Sequence, residues 1–255
     1  HSYSVANNNQ KVAFIEGNLY AQNILYYNQL TNETINITNS DTHKNSQPKF
    51  INKHQILFVS DRLGINQLWM HDTNSGNSRQ VSQFKQHQRI ENLALNAASK
   101  LIALEINNTI SLYRYDDEFS QLTLVEQLEG DNPFFYQGQL VLRSQHKNSY
   151  RLNFFNPETL TISDLNISGG NQAYAIGNEL YYTKYSMPGV WRYIPDSEDQ
   201  YITHLDNNAK IISATQNELI FKDKYDQLTA FNINTKQFSG WYNGVNILNG
   251  IVRNG

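Results

Sequence analysis

The chain has 255 residues, 39% of them hydrophobic and 12% aromatic, which is sufficient for a packed core in one large domain or two smaller ones. Its formal net charge of −3 argues against direct nucleic-acid contact and against binding to an anionic membrane surface, because both need a basic surface. The sequence holds no apolar run long enough to span a bilayer and no signal-peptide pattern, so we expect membrane attachment only through a segment outside it. Because it begins with His1 and not with Met, we expect a processed protein or an excised domain.

Six short apolar runs recur along the chain, each opening with a polar residue that an aliphatic residue follows. They begin at Lys11, Gln55, Lys100, Gln139, Glu179 and Glu218. Successive starts are separated by 44, 45, 39, 40 and 39 residues. A regular period near 40 residues is typical of a repeat architecture.

A second run follows each first one and usually ends in an aromatic or apolar residue and then Asn or Asp. The six pairs are Tyr27-Asn28, His71-Asp72, Tyr115-Asp116, Phe155-Asn156, Ile194-Pro195 and Phe231-Asn232. Asn and Asp terminate strands well because their side chains bond to the backbone of the turn that follows. Each repeat therefore predicts an inner strand, a strand that is apolar on both faces, a returning strand and a more polar outer strand.

Four short strands per repeat and six repeats predict an all-β fold, a six-bladed β-propeller of four-stranded antiparallel blades. The predicted blades, within a single domain, are residues 1–40, 47–84, 88–129, 131–168, 171–206 and 209–242. We expect the N-terminal SYSVANNN to supply the inner strand of the first blade and residues 243–255 to form an accessory strand. The alternative is seven blades, the last of which is truncated at that tail.

The most specific motif is ILFVSDRLGINQLWMHDTNSG, residues 56–76. It resembles the WD-like propeller repeat of the TolB family, which also occurs in the propeller domains of prolyl-oligopeptidase-type peptidases. The matching residues are Phe58, Ser60, Asp61, Arg62, Gly64, Gln67, Leu68, Trp69, Asp72 and Gly76. The resemblance implies a propeller fold, whereas function must be argued from a site because propellers carry many activities.

The motif residues are interpreted as structural. The corner of Ser60, Asp61, Arg62 and Gly64 is expected to brace a loop and the neighbouring blade, because turn geometry demands polar residues and Gly there. The strand-ending Asn and Asp side chains are expected to form turns, and they are Asp72, Asp116, Asn156 and Asn232.

Catalytic signatures are absent from the sequence. The seven His show no metal-ligand spacing, and no Gly-x-Ser-x-Gly elbow or phosphate-binding loop occurs, so we expect no metal, no cofactor and no enzymatic activity. Candidate binding residues are of two kinds. Polar residues of inner segments could converge on a central channel, and they are Asn52, His54, Asn92, Gln172 and Lys210. Aromatic and soft apolar residues could form a patch, with core packing as the alternative, and they are Phe134, Phe135, Tyr136, Met187 and Trp191.

Three functions remain open at this point. TolB-like propellers serve as protein-interaction platforms of the bacterial envelope, and similar propellers form the extracytoplasmic part of some CadC- or ToxR-like membrane-anchored transcriptional regulators. The resemblance therefore implies a periplasmic or extracytoplasmic sensor of a Gram-negative bacterium that binds a protein partner or a small-molecule signal. The alternatives are a purely structural interaction module and a propeller lyase or glycosidase with its site in the channel, where Glu91 is the main acid of the inner segments.

Overall fold

The computed structural model describes residues 3–5, 11–18, 20–85, 88–185, 187–195, 197–205, 210–214, 217–222 and 228–242. Throughout these residues the regular structure is β-strand, without a helix. The 24 strands form six four-stranded antiparallel sheets, which confirms the predicted all-β fold of six β-propeller blades. Two compact units divide the chain, the first ending at Glu129 and the second beginning at Gly130.

The first unit contains three sheets, and in each the strand order follows the chain. The first sheet is β1 (Tyr3–Val5), β2 (Lys11–Gly17), β3 (Gln22–Asn28) and β4 (Glu33–Asn36). The second is β5 (Asn45–Phe50), β6 (Gln55–Ser60), β7 (Gln67–Asp72) and β8 (Ser78–Gln80). The third is β9 (Asn92–Asn96), β10 (Leu101–Ile106), β11 (Thr109–Tyr115) and β12 (Leu122–Glu129).

The second unit repeats this arrangement in three further sheets. The fourth sheet is β13 (Asp131–Tyr136), β14 (Gln139–His146), β15 (Ser149–Asn156) and β16 (Thr161–Ser168). The fifth is β17 (Gly170–Ile176), β18 (Glu179–Lys184), β19 (Val190–Tyr193) and β20 (Gln200–Thr203). The sixth is β21 (Lys210–Ala214), β22 (Glu218–Lys222), β23 (Leu228–Asn232) and β24 (Gln237–Tyr242).

The predicted apolar runs are the second strands of the sheets. Five of the six predicted starts are the first residues of β2, β6, β14, β18 and β22, and Lys100 directly precedes β10. The N-terminal segment also behaves as predicted, since β1 pairs with β2 as the inner strand of the first sheet. The accessory strand predicted for residues 243–255 lies outside the described residues.

Both faces of β6 are buried, because it lies between two other sheets of its unit. In β6, Ile56 and Phe58 join a core cluster with Ala13 and Ile24 of the first sheet. The alternate residues, such as Leu57, join a separate cluster with residues of the third sheet. Fully burying one such side chain contributes about 1.5–3 kcal/mol. The hairpin of β6 and β7 thus packs against the preceding and following sheets of its unit.

The fifth sheet follows the same rule within the second unit. Leu180 and Tyr182 of β18 face the cluster of the fourth sheet, and Tyr181 faces the cluster that contains Leu219 and Phe221 of the sixth. Fourth strands are more exposed, as the polar sequences predict: all four residues of β4 are exposed.

Candidate functional site

Three sheets share a polar pair at one edge. We use the name polar edge for the end of a sheet at which its innermost strand begins and its second strand ends. The residues that face each other there are Asn45 and Ser60, Asn92 and Glu105, and Asp131 and Arg143. Burying a polar group costs free energy unless the group is hydrogen-bonded. The other residues that these pairs contact therefore determine whether the charge at each polar edge is balanced.

Arg62 lies at the polar edge of the second sheet and contacts neutral groups. Its Nε donates to Ser60 Oγ at 3.0 Å and its Nη2 to Asn45 Oδ1 at 3.2 Å. The guanidinium lies over the Trp69 ring, 4.3 Å from the ring centroid. Burial lowers the pKa of Arg62 from its ordinary value, although an arginine stays charged at neutral pH. We call Arg62, Asn45, Ser60 and Trp69 the Arg62 cluster.

Arg143 occupies the polar edge of the fourth sheet and has an acidic partner. Its Nε and Nη2 donate to the two carboxylate oxygens of Asp131, each at 2.6 Å. Its Nη1 donates to Asn171 Oδ1 at 2.8 Å and to the Tyr185 hydroxyl at 2.7 Å. The guanidinium lies 4.5 Å from the centroid of the Tyr150 ring, and the bond to Asp131 raises the pKa of Arg143. These five residues form the Arg143 cluster.

The fifth sheet has a third cation at the corresponding position. Lys184 ends β18, and its Nζ lies 4.0 Å from the centroid of the Trp191 ring on β19. Among the described residues, a cation from the end of the second strand or just after it thus lies over an aromatic ring of the third strand in three sheets, as Arg62 on Trp69, Arg143 on Tyr150 and Lys184 on Trp191. Such a contact contributes about 0.5–2 kcal/mol, depending on its exposure.

Around the last two cations the second unit exposes an aromatic surface, which we define as Tyr150, Tyr185, Met187, Trp191 and Tyr201. Tyr185, Met187 and Tyr201 are 55%, 52% and 48% exposed. The Tyr150 and Tyr185 rings lie 5.6 Å apart, and the Trp191 ring meets Tyr201 edge to face at 5.1 Å. Trp191 Nε1 donates to the backbone oxygen of Met187 at 3.4 Å, which links the loop after β18 to β19. Exposed apolar groups gathered in this way mark binding surfaces.

Gly189 helps to fix this surface. A Cβ at position 189 would lie 2.5 Å from the Tyr201 ring and 2.9 Å from the backbone oxygen of Thr203. No residue with a side chain fits there without displacing β20. The loop between β18 and β19 therefore approaches β20 closely, and Tyr201 is held beside Trp191.

Two of the predicted channel residues lie away from a polar edge. Asn52 and His54 are in the turn between β5 and β6, which is the opposite end of the second sheet. Asn52 Oδ1 accepts the backbone N–H groups of His54 and Gln55 at 2.9 and 3.0 Å, so its role is to form the turn. The structure does not bring these residues together with Asn92, because β5 ends at Phe50 and both residues follow it.

Asn92 and Gln172 do lie near polar edges, each within its own unit. Asn92 Nδ2 donates to the buried Glu105 carboxylate at 2.7 Å. Gln172 Oε1 accepts the backbone N–H of Ile211 at 3.2 Å and so ties β17 to β21. Lys210 begins β21, and its side chain lies outside the described part of the structure.

The predicted aromatic residues divide between packing and surface. Phe134 packs against the core cluster of the fourth and fifth sheets, and Phe135 is partly buried. Tyr136 is buried, and its hydroxyl donates to the backbone oxygen of Asn178 at 2.5 Å. These three therefore take the packing role, whereas Met187 and Trp191 belong to the aromatic surface.

The Ser-Asp-Arg corner braces the connection that leads into the second sheet. Asp61 Oδ1 accepts the backbone N–H of Lys44 at 2.8 Å, and the Asp61 N–H donates to the Lys44 oxygen at 3.2 Å. His43 Nδ1 lies 3.9 Å from the same carboxylate. Gly64 has φ +83° and closes the corner with an N–H bond to the Asp61 oxygen.

The strand-ending side chains cap the turns after them. Each of three accepts backbone N–H groups two and three residues ahead at 2.9–3.3 Å, and they are Asp72, Asn156 and Asn232. Asp116 instead binds the N–H and hydroxyl of Ser120. The bond from the Ser75 N–H lowers the pKa of Asp72, and the Ser120 hydroxyl lowers that of Asp116.

Comparison with known proteins identifies the fold. No family model matches the sequence, and no curated protein sequence matches it. Among solved structures, TolB from Acinetobacter baumannii is similar with a TM-score of 0.62 at 12% identity, over 90% of this chain and 63% of TolB. The chain thus spans less than two thirds of the TolB structure.

Two enzymes are similar to the same degree. An oligogalacturonate lyase from Vibrio parahaemolyticus has a TM-score of 0.69 at 12% identity, over 93% of this chain and 75% of the lyase. An acylaminoacyl peptidase from Pyrococcus horikoshii has a TM-score of 0.63 at 16% identity, over 95% of this chain and 45% of the peptidase. At such identities the similarity shows the fold alone, a TolB-like β-propeller.

The described residues include no helix that is long and apolar enough to cross a membrane. They also include no group of three or more His, Asp or Glu side chains placed to hold a metal ion.

Proposed function

We propose that this chain is a non-enzymatic binding propeller whose partner is a protein, and that the partner binds at the aromatic surface of the second unit. The observation that carries the proposal is the set of exposed side chains at this surface, with Tyr185, Met187 and Tyr201 each about half exposed. Water-exposed rings of this size would be better buried against a partner.

The composition of the surface favours a protein over a small molecule. Tyr, Trp, Met and Arg are the residue types enriched at the centres of protein interfaces, and Tyr, Trp and Arg dominate their hot spots. Arg143 and Lys184 add positive charge beside the rings, although Asp131 balances the first of them. The partner should therefore present an apolar centre and an acidic group that faces Lys184.

The biological setting is inferred from the resemblance to TolB-like propellers. We assign the chain to the outside of the cytoplasm in a Gram-negative bacterium, as the sensor part of a membrane-anchored transcriptional regulator of the CadC or ToxR kind. The gene region upstream of the chain tests this setting directly. A winged-helix domain followed by a span of about 20 apolar residues supports it, whereas an α/β-hydrolase domain beside the propeller overturns it.

Photocrosslinking tests the binding surface. A benzophenone side chain replaces Met187 in the full-length protein in its source bacterium, and the same group replaces Tyr20, which is 82% exposed in the first unit. A single protein adduct at position 187 and none at position 20 is expected. The same adducts at both positions would contradict the proposal.

The affinity for that adduct protein then identifies the side chains that bind it. Tyr185→Ser and Tyr201→Ser should each weaken binding at least tenfold, since hot-spot aromatic residues contribute about 2 kcal/mol or more. Tyr20→Ser is the matched control and should not change binding. If all three variants bind like the unmodified chain, the aromatic surface is not the interface.

A further inference from the structure

The first unit contains a cavity that has no part in the proposed interface. It lies between the outer parts of the second and third sheets and has a volume of about 600 Å³, within the range of small-molecule sites. The end of β8 and residues 81–84 form one wall, and β11, residues 119–121 and the start of β12 form the other. We call it the outer cavity.

The first wall is held by a buried glutamine. Gln67 is 3% exposed, and its Oε1 accepts the Ser82 hydroxyl at 2.7 Å and the Phe84 N–H at 2.9 Å. Its Nε2 donates to the backbone oxygen of Phe84 at 2.8 Å, and Ser82 Oγ accepts the Leu68 N–H at 2.7 Å. The segment after β8 is therefore fixed to β7 without forming a strand, which leaves space in front of it.

The second wall is held in a conformation that costs energy. Phe119 has φ +52°, which is unusual for a bulky residue. Its ring is buried and stacks on Tyr115 with a centroid distance of 3.9 Å. Asp116 binds Ser120, and Arg79 donates to the backbone oxygens of Glu118 and Phe119. A strained residue that so many contacts maintain is typical of a functional site.

The charge of the lining indicates an anionic ligand. Arg79 is the one charged residue that lines the outer cavity in the described structure, and no acidic side chain lines it. An arginine has five N–H donors, and the two backbone oxygens use only some of those of Arg79. The remaining donors suit a carboxylate, which guanidinium binds with short charge-assisted bonds.

The apolar part of the lining indicates a flat ring. Phe84 and Tyr113 line the outer cavity with ring centroids 6.0 Å apart and planes inclined at 48°. Rings at this separation and tilt offer a face and an edge to a third ring. The side-chain amides of Gln83 and Gln121 add neutral hydrogen-bonding groups around them.

We propose that the outer cavity binds a small organic monoanion in which a carboxylate is attached to a flat ring, with the carboxylate on Arg79 and the ring against Phe84 and Tyr113. This site is independent of the proposed protein interface, because all of its lining residues belong to the first unit. It would give the propeller a small-molecule input in addition to a partner surface.

Phenylacetate is the first probe, and its uncharged analogue phenylacetamide is the matched control ligand. Chemical-shift titration of the isotope-labelled chain should show saturable binding of phenylacetate, with shifts centred on Phe84, Tyr113 and Gln121. Phenylacetamide should bind at least tenfold more weakly. Equal binding of the two probes, or shifts centred outside the outer cavity, would overturn the proposal.

Arg79→Gln should abolish the preference for the carboxylate, but this change also removes a support of residues 118 and 119. Gln121→Glu avoids that difficulty, because Gln121 is exposed and the variant only places an acid at the cavity. It should weaken phenylacetate binding at least tenfold and change phenylacetamide binding much less. The control is Gln237→Glu, an exposed glutamine of β24, which should bind like the unmodified chain. If Gln121→Glu binds phenylacetate normally, the anion site is elsewhere.

Discussion

The Arg62 cluster and the Arg143 cluster occupy the same edge of their sheets, yet they balance the arginine charge differently. Asn45 and Asp131 are each the first residue of an innermost strand. Asn45 gives Arg62 one neutral hydrogen bond at 3.2 Å, whereas Asp131 gives Arg143 two bonds to a carboxylate at 2.6 Å. The same position in the repeat is therefore neutral in one sheet and ionic in the other.

The difference shows which contact the repeat requires. In both clusters the guanidinium lies over an aromatic ring of the third strand, 4.3 and 4.5 Å from the ring centroid. The two clusters therefore share the stacking contact, whereas only the Arg143 cluster has an ion pair. A buried ion pair contributes little by itself, but it becomes very costly when one member is lost. The fourth sheet should therefore be more sensitive to substitution of its arginine than the second.

Arg143→Met is expected to have the largest effect. The side chains of Arg143 and Asp131 are only 14% and 16% exposed, and the methionine would leave the carboxylate without its two strongest donors. The free energy of unfolding should fall by about 3 kcal/mol. Urea unfolding of the chain, followed by tryptophan fluorescence, measures it. Arg114→Met, on the exposed face of β11, is the control, and a loss no larger than the control's would refute the assigned importance of the ion pair.

The second strands were predictable because they combine two independent signals. A run such as QILFVS is apolar on both faces, and its period of about 40 residues identifies it as a repeat. The innermost strands were harder, because their ladders contain irregularities, as between Ser46 and Lys49 in β5. Such a bulge interrupts the alternation that sequence reasoning follows. Asn52 and His54 were consequently assigned to an inner strand, although both follow the end of β5.

The site was only partly predictable. Met187 and Trp191 were found because Pro and Gly mark an irregular segment that carries large apolar residues. The sequence analysis did not identify three further residues of the site, which are Arg143, Tyr150 and Tyr185. They are separated in sequence and come into contact only when β14, β15 and the end of β18 fold together. The one local signal is a cation near the end of a second strand that is followed by an aromatic residue in the third. Arg62 with Trp69 and Lys184 with Trp191 show the same pattern.

High pH should weaken the second unit before it affects the Arg143 ion pair. Burial raises the pKa of Tyr174 to about 12, and its hydroxyl donates to the Ile211 oxygen at 2.8 Å. A tyrosine ionises near 10 in the unfolded chain, so this contribution is complete below pH 10 and is lost as pH rises through 12. It amounts to about 2–3 kcal/mol, whereas arginine stays charged over this range. Tyr174→Phe should flatten the decline of stability between pH 10 and 12, and an unchanged decline would mean that another group controls it.

Asp131→Asn converts the Arg143 cluster to the neutral type that the second sheet already has. The amide oxygen can still accept one bond from the guanidinium, which also keeps its bonds to Asn171 Oδ1 and the Tyr185 hydroxyl. The cation that remains is then held by neutral groups, as Arg62 is in the second sheet. The free energy of unfolding should fall by about 1–2 kcal/mol, less than in Arg143→Met. Urea unfolding of the two variants under the same conditions gives the order. If Asp131→Asn is the more damaging change, the carboxylate has a role beyond its pair with Arg143.

Arg62→Met should have the smallest effect of the arginine changes. The methionine stem can still cover Trp69, and the main loss is the donor to Asn45 Oδ1, since Asn45 is fully buried. Leaving that oxygen without its donor costs about 1–2 kcal/mol. Part of this cost is offset, because the substitution also removes a half-buried cation that has no acidic partner among the described residues. We therefore expect a loss of about 1 kcal/mol that does not change with salt concentration, measured by urea unfolding at low and high ionic strength. A loss as large as that of Arg143→Met would contradict the view that the ion pair makes the fourth sheet more sensitive than the second to substitution of its arginine.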